Sequence, residues 1–542
     1  MTPRPGRRTA ALVTGLGLAA GSLLVAPVAP ASAAAPNDSA AAVAGGDWLA
    51  DQLTDGVIYN DQFAFDDYGL TVDTGLALDD FSSNRYAGAL RSLTAAVTSD
   101  EGVESYTTGN AFGDENSRYA GATAKLASYV QQRGGDPRDV SGTNLINQLS
   151  GLVATEDPIA GRIEDRTSFG DTANAIGQGF AARALVVADS PRGASAMDFF
   201  LDQQCSDGFF RAFLDDKADT DQTCDGATSE EDSAPNTDTT GIAVLNLLAT
   251  DPAPGSPVQD AIDSAVDWML SEQAPDGSYA GAPPTDVPNT NSTGVVAWAL
   301  GQAGENGAAA RAAAYIARQQ ATACDGALRT EVGTVAYDRA ALEAGRESGI
   351  DATNRDQFRR ASAQAVPALR SLGAVKGSLA QARATRFVKA GQPLTLEVSG
   401  LTRGTRSCLT GPATRFDVPN AADREVTVDV PSGTANRTYR LSTFAQKVDS
   451  VTVRALDKTT LAANVAKSRV ARKAQQTVTV KRLAAQERVT VKVDGTRVAR
   501  GTANGNGVFR ATYRVTGPKG DAAMKVVGQF GNRTGATSYV VR

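Results

Sequence analysis

AVDWMLSEQAPDGSYAGAPPTDVPNTNSTGVVAWALGQAG, residues 265–304, is the stretch that decides the fold. An apolar segment ends at Gln273, Asp276-Gly277 makes a turn, and Tyr279 supplies an aromatic. After a loop, Asn289-Thr290-Asn291-Ser292-Thr293-Gly294 opens a second apolar segment around Trp298. The unit stands upstream as Gln204, Asp207-Gly208, Phe210 and then Asn236-Thr237-Asp238-Thr239-Thr240-Gly241. Thr240 and Thr293 are 53 residues apart, and both runs read N-T-x-x-T-G-apolar. A looser copy has Trp48, Gln52, Asp55-Gly56 and Asp73-Thr74-Gly75-Leu76.

From about residue 40 to 373 apolar residues recur at i, i+3, i+4 and i+7, as Ile262, Ala265, Val266 and Met269 do. That is the period of an amphipathic helix. Each copy predicts two helices. The first ends at the Gln…Asp-Gly turn, where glycine takes the left-handed cap conformation. The second opens on Asp or Asn followed by Ser or Thr, which is N-cap chemistry. Weaker copies pair 86–97 with 118–130, 145–153 with 171–187, and 308–320, through Asp325-Gly326, with 332–344. About six hairpins of roughly 45–55 residues are a repeat architecture. One hairpin cannot bury its own apolar face, so the copies stack, as an open solenoid or a closed ring.

The pattern Gln-x3-Gly-x-aromatic, as Gln204…Gly208-Phe209-Phe210 and Gln273…Gly277-Ser278-Tyr279, resembles the repeat of squalene–hopene cyclases and protein prenyltransferase β-subunits. The Thr-Gly start of the following helix resembles that family too. The resemblance covers about residues 47–349 and implies an (α/α)6 toroid of six inner and six outer helices. It does not carry the family's chemistry. The Asp-x-Asp-Asp acid motif is absent, since Asp66-Asp67, Asp79-Asp80 and Asp215-Asp216 each lack the earlier aspartate. The prenyltransferase zinc set needs histidine, and this chain has none. Aromatics are 6%, few for a pocket that stabilises carbocations. Cobalamin transport proteins resemble the layout of toroid plus β domain, but no residue here specifies that cofactor.

After about residue 380 the period changes to two. Residues 394–398, 426–430, 451–454, 477–480, 489–493 and 511–515 alternate apolar with polar, and Asp494-Gly495, Asn504-Gly505 and Asn506-Gly507 mark turns. This predicts one or two immunoglobulin-like β-sandwiches, at 377–456 and 460–542, behind a toroid at 40–373.

The charge divides at the same boundary. Residues 376–542 hold 29 Lys+Arg and 10 Asp+Glu, a net +19, while the whole chain carries −7. Such asymmetry suggests two different partners. At the start, Arg4, Arg7 and Arg8 precede an apolar run, and Ala31-Ser32-Ala33 offers a cleavage site, so 1–33 reads as an export signal. No later run is long enough to span a membrane. Export favours disulfides among Cys205, Cys224, Cys324 and Cys408, with Cys205–Cys224 closing a local loop and Cys324–Cys408 tying the two halves. The absence of histidine removes Ser-His-Asp and Cys-His nucleophile systems and the usual catalytic zinc ligands.

Long connections lead from each Asp-Gly turn to the second helix of its pair. Asp73, Asp171, Asp238 and Asn291, with Tyr279, are the candidates for a cup rim that holds a ligand or supplies acid–base carboxylates. Helix capping would account for the four polar residues equally. Asp215, Asp216, Asp219, Asp221 and Asp225, near Glu230, Glu231 and Asp232, could chelate calcium, or form a solvated loop held by Cys205–Cys224. Arg469, Arg472, Lys473, Lys481, Arg482, Arg488, Lys492, Arg497 and Arg500 crowd the last module. They would retain the protein on anionic cell-wall polymers, or dock the acidic toroid. No nucleic-acid recognition motif is present. The chain reads as an exported, non-catalytic protein binding a small molecule or glycan. The alternative is a cyclase- or lyase-like enzyme acting on a terpenoid or glycan.

Overall fold

The computed structural model describes residues 38–110, 113–229, 233–283, 285–374, 376–401, 406–418, 424–444 and 446–542. The export signal at 1–33 and the acidic triplet Glu230, Glu231 and Asp232 lie outside them. The first part of the chain is helical: α1 (Ala40–Ala50), α2 (Tyr68–Asp79), α3 (Ala87–Val97), α4 (Asp100–Thr107), α5 (Ala120–Gln132), α6 (Leu145–Ser150), α7 (Ala175–Val187), α8 (Gly193–Leu201), α9 (Thr237–Leu248), α10 (Pro257–Ser271), α11 (Thr290–Gln302), α12 (Asn306–Arg318), α13 (Arg339–Ser348) and α14 (Arg355–Ala365).

Two kinds of helix follow from the pattern of apolar residues. α10 buries one stripe, Ala261, Ile262, Ala265 and Met269. α11 is buried on every side, from Thr290 and Thr293 to Val296, Ala297 and Leu300. A helix apolar all round belongs inside. α2, α5, α7, α9, α11 and α14 touch in that order, and α14 returns to touch α2. Small residues permit the close approach: a Cβ on Gly294 would stand 2.6 Å from Ala365 Cα, and one on Gly75 would stand 2.6 Å from the Tyr129 ring.

A repeated clamp joins each outer helix to the next. Gln273 Nε2 donates to Gly277 O at 3.4 Å and to Ala308 O of α12 at 3.0 Å. Gln204 does the same to Gly208 O and Ala261 O of α10, at 2.8 and 2.9 Å. Gln320 bonds Gly333 O and Ala41 O of α1, at 2.8 and 2.9 Å. Two residues past each glycine, a backbone N–H donates to a hydroxyl of the next inner helix, Phe210 to Thr240 and Tyr279 to Thr293, both at 2.9 Å. Gly277 has φ +91°, and a Cβ there would meet Arg311 O of α12 at 2.3 Å, so only glycine fits.

The clamp also corrects the weaker copies. The last one turns at Gly333, not Gly326, with Val335 N–H donating to Ser362 of α14. The expected helix at 332–344 is therefore not the inner one: α14 is, and α13 is an insertion. In the first copy Thr71, not Thr74, takes the Ile58 N–H, and Gln52 accepts from Arg359 of α14 at 3.1 Å instead of clamping. A copy without a Gln at the turn is completed by Gln178 of α7, which bonds Gly161 O and Ala196 O of α8.

The alternating segments are all strands. In the first β region one sheet holds Ser378–Gln381, Pro393–Ser399 and Arg424–Asp429. A five-stranded sheet is centred on Ala435–Thr443, and residues of both sheets share one core that includes Leu396, Val426, Leu409 and Tyr439. The second region repeats the plan around a separate core with Val480, Val491 and Met524. Between the regions Arg533, 2% exposed, pairs with the fully buried Glu487 at 2.7 Å and donates to Asp457 O and Thr459 Oγ1, both at 2.8 Å.

The first β region is fastened where the helical contacts close. Cys324 and Cys408 form one disulfide, and Cys205 and Cys224 the other, as the sequence predicts. Beside Cys324, Asp325 is 1% exposed. It accepts from Arg406 at 2.5 and 3.0 Å and from Arg346 at 2.7 Å. Arg406 also donates to Gln320 O at 3.1 Å, and Phe444 is buried in the helical core. Burial pushes the Asp325 carboxyl up, but Arg406 and the Thr322 N–H outweigh it and hold it below its usual range.

Gly277→Ala is expected to lower stability to denaturant by about 1–3 kcal/mol, with α12 displaced. Asp325 contributes stability that is present above the ordinary aspartate pKa of about 3.9 and is lost as pH falls through its lowered value. Arg406→Met should cost up to about 3–5 kcal/mol, by leaving the buried carboxylate with the partly exposed Arg346 as its remaining counter-ion. The same variant should move the acid-unfolding midpoint, followed by near-UV circular dichroism, to higher pH.

Candidate functional site

The inner helices run the same way. α2 and α5 are ion-paired at Asp73–Lys125 and again at Asp79–Arg133, about two turns further along both. α5 and α7 meet at Gly121–Gly177 and at Gln132–Arg183. Their N-termini gather at one mouth and their C-termini at the other. The N-caps are Asp67, Asn174, Asn236 and Asn289, each accepting a backbone N–H of its own helix. Capping therefore does not explain Asp73, Asp171, Asp238 or Asn291, none of which is a cap.

A cavity of about 690 Å³ occupies the hub and draws its wall from all six inner helices. Its waist is apolar, with Leu76, Ile176, Phe180, Ile242, Leu245 and Val295. Toward the N-terminal mouth stand Asp73, Lys125, Tyr106, Tyr119 and Asn174; toward the other end stand Asp80, Gln132, Arg183 and Gln302. Burial works against the Lys125 ammonium, but Asp73 overcomes it and holds the pKa above its ordinary value. Burial pushes the Tyr106 hydroxyl up. Asp80 accepts from Gln302 at 2.8 Å and pairs with Arg370, yet burial still raises its pKa, and the Trp298 indole lies beside it.

Of the rim candidates, only Asp73 lines this cavity. Asp171 accepts from Asp165 N–H at 2.8 Å and Ala173 N–H at 3.1 Å, and pairs with Lys217 at 2.8 Å. Burial raises its pKa, but Lys217 and those N–H groups outweigh that and leave it lowered. Asp238 sits in the first turn of α9, its pKa raised by burial, with Ser292 of α11 as partner. Asn291 sits in the first turn of α11 with a buried amide oxygen that has no partner among the described residues. Tyr279 is 1% exposed and belongs to the clamp.

The wall's cations, Lys125 and Arg183, and the acid Asp80 escape a search for motifs. One signal was available. α7 reads AIGQGFAARALVV, with Arg183 as the single charge in a helix otherwise fit for the interior.

The acidic loop turns its carboxylates onto its own donors. Asp215 pairs with the fully buried Arg211 at 2.7 Å. Asp216 accepts from Ala218 N–H, Asp221 from Thr223, and Asp225 from Ser206. Asp219 contributes its backbone carbonyl to Gln222. Among the described residues no three acids converge as a calcium site would need. Arg211, clamped by Gln203 and Gln222 O, organises this loop.

In the last module Lys492 stands directly opposite Lys525 on one neighbouring strand and Arg497 on the other. Arg488 and Arg500 extend the same exposed face. Like charges placed opposite each other across strands about 4.8 Å apart are destabilising.

Among the described residues no helix is long and apolar enough to cross a membrane. No protein-family model matches the chain, and no curated protein matches it. Solved structures similar to it include a protein from Actinoplanes, at 17% identity and TM-score 0.40 over 61% of this chain and 98% of that one. The type II terpene cyclase MstE from Scytonema is similar at 17% identity and TM-score 0.39, over 61% and 96%. Fibronectin(III)-like modules of Clostridium thermocellum CbhA are similar at 11% identity and TM-score 0.20, over 30% and 92%. Similarity at this level assigns neither a family nor an activity.

Proposed function

We propose that this chain is an exported binding protein whose helical hub holds an elongated, largely apolar small molecule. The cavity carries this reading. Its apolar waist and polar ends suit such a body, and about 690 Å³ falls within the roughly 300–1,000 Å³ of small-ligand sites. In this reading residues 40–373 are a closed (α/α)6 toroid, supported by the cycle of inner-helix contacts and the Gln320–Ala41 bond. Residues 377–456 and 460–542 are two immunoglobulin-like sandwiches. Support for the first comes from the Tyr439 hydroxyl, which donates at 3.0 Å to Asp429 O at the preceding strand end, as a tyrosine corner does. Export is supported by the two disulfides, which persist in oxidising compartments.

One observation favours a catalytic reading. Asp80, its pKa raised by burial at the end of an apolar cavity, has the character of a proton donor. A cyclase- or lyase-like reaction on a terpenoid or glycan would start there and not at the rim. The face of Arg488, Lys492, Arg497, Arg500 and Lys525 supports a second role for the last module, retention on an anionic wall polymer.

Native mass spectrometry of protein taken from its own medium is expected to find a bound small molecule of constant mass. Leu245→Trp, which fills the waist, should lose it while keeping the fold. A species that accumulates only in Asp80→Asn, with a smaller or rearranged product in the wild type, would replace binding by catalysis. The full chain is expected to be retained on purified wall polyanion at low salt and released near 1 M, where the Debye length is about 3 Å. Lys492→Glu combined with Lys525→Glu should reduce that retention several-fold; retention indifferent to salt refutes the electrostatic role.

A further inference from the structure

The hub wall holds two cations, and they are in opposite circumstances. Lys125 is neutralised by Asp73. Among the described residues Arg183 has no acid partner, and its one side-chain hydrogen bond is to the amide oxygen of Gln132, at 3.3 Å. Burial alone pulls its pKa down to about 10, with no neighbouring charge acting on it. A guanidinium offers five donors in a planar fork and stays charged in proteins. Placing it in a low-dielectric wall without a counter-ion is costly, so such groups are paired or hydrogen-bonded in folded proteins. The remaining donors face the cavity, next to the apolar waist made by Phe180 and Leu245. In the same wall Asn246 of the adjacent α9 is 2% exposed, and its amide oxygen has no partner among the described residues.

We propose that Arg183 is the recognition site for an anionic head group, so that the hub selects amphipathic anions: a carboxylate or phosphate at the Arg183 end, with an apolar chain along the waist. The proposal rests on the hub being a binding cavity and specifies what that cavity prefers. A carboxylate or phosphate ester matches the guanidinium fork with two parallel N–H···O bonds. A neutral alcohol of the same length fills the waist equally well but leaves the guanidinium unpaired. The orphan oxygen of Asn246 adds a place for a hydroxyl or a protonated head-group oxygen to donate. Asp80 lies at the same end but is already engaged by Arg370 and Gln302, so it leaves Arg183 to the ligand.

The test uses a fluorescent polyene fatty acid, its alcohol, and the phosphate monoester of that alcohol, titrated against the intact protein. The acid and the phosphate should each bind at least tenfold more tightly than the alcohol. Arg183→Gln should bring all three to the alcohol's affinity, and Arg183→Lys should keep part of the preference. Thermal midpoints of both variants are measured first, and the comparison of three probes on the wild type needs no variant. Equal affinity for acid and alcohol in the wild type overturns the proposal while leaving the hub as a binding cavity. A preference that survives in Arg183→Gln overturns it too. Failure of all three probes to bind, with Leu245→Trp behaving like the wild type, overturns both this proposal and the cavity reading beneath it.

Discussion

A glutamine side chain that donates to two carbonyls at once governs this structure. Each amide reaches the carbonyl of its own turn and the carbonyl near the start of the next outer helix. The position, tilt and register of consecutive hairpins are thereby set by local groups. Gln204, Gln273 and Gln320 do this from the same place in the repeat, and Gln178 does it from an inner helix. The amide–carbonyl bonds are buried or half-buried, and leaving such a carbonyl unpaired costs about 1–3 kcal/mol. Gln320 matters most, because its partner is Ala41, 279 residues away along the chain. Its own backbone carbonyl takes a hydrogen bond from Arg406, so the contact that joins the last outer helix to the first also receives the first β region.

The hub follows from that contact. Outer helices fixed end to end hold the inner helices parallel, and glycines at Gly75, Gly241 and Gly294 let the inner helices touch. The space left is lined by side chains that no neighbour can cover. Most are apolar, which is what an inner helix must show to its flanks as well. The few polar ones are therefore informative. Asp73 and Lys125 neutralise each other, Asp80 is answered by Arg370 and Gln302, and Arg183 is left with an amide. Buried charges in this region are otherwise matched with care, as Arg211–Asp215 and Asp325–Arg406 illustrate. That contrast gives the solitary guanidinium its weight.

The two β regions differ in how they are held. The first is joined to the helices by a disulfide, by the Asp325–Arg406 pair and by Phe444, an arrangement too specific to be general attraction between an acidic and a basic surface. The second is joined to the first through Arg533, which reaches back to Asp457 and Thr459 from its pair with Glu487. The exposed cations of the second region are set in register across adjacent strands, not scattered among acids.

Taken alone, the amino-acid sequence determined the helical hairpins, the change to strands after about residue 380, both cysteine pairs, and the glycine turns at Gly208 and Gly277. The periods, the turns and the Cys205–Cys224 loop are local properties, written in residues close together, and a clamp built on Gln, Gly and Thr repeats with the chain; Cys324–Cys408, 84 residues apart, is the pair that the local one leaves. The last copy was misplaced, with its turn at Gly333 and its inner helix at Arg355–Ala365, because there the bond to the inner helix is made by Ser362; the copy at 145–187 has its helices where the period puts them, but Gln178 makes its clamp from an inner helix. Only the tertiary structure decided the site. It moved interest from Asp171, Asp238 and Asn291, whose environments lie outside the cavity wall, to Asp80 and Arg183, which no motif marks. Whether a charge is paired depends on which helices become neighbours, and Asp80–Arg370 and Gln320–Ala41 join residues hundreds of positions apart, which no local pattern encodes.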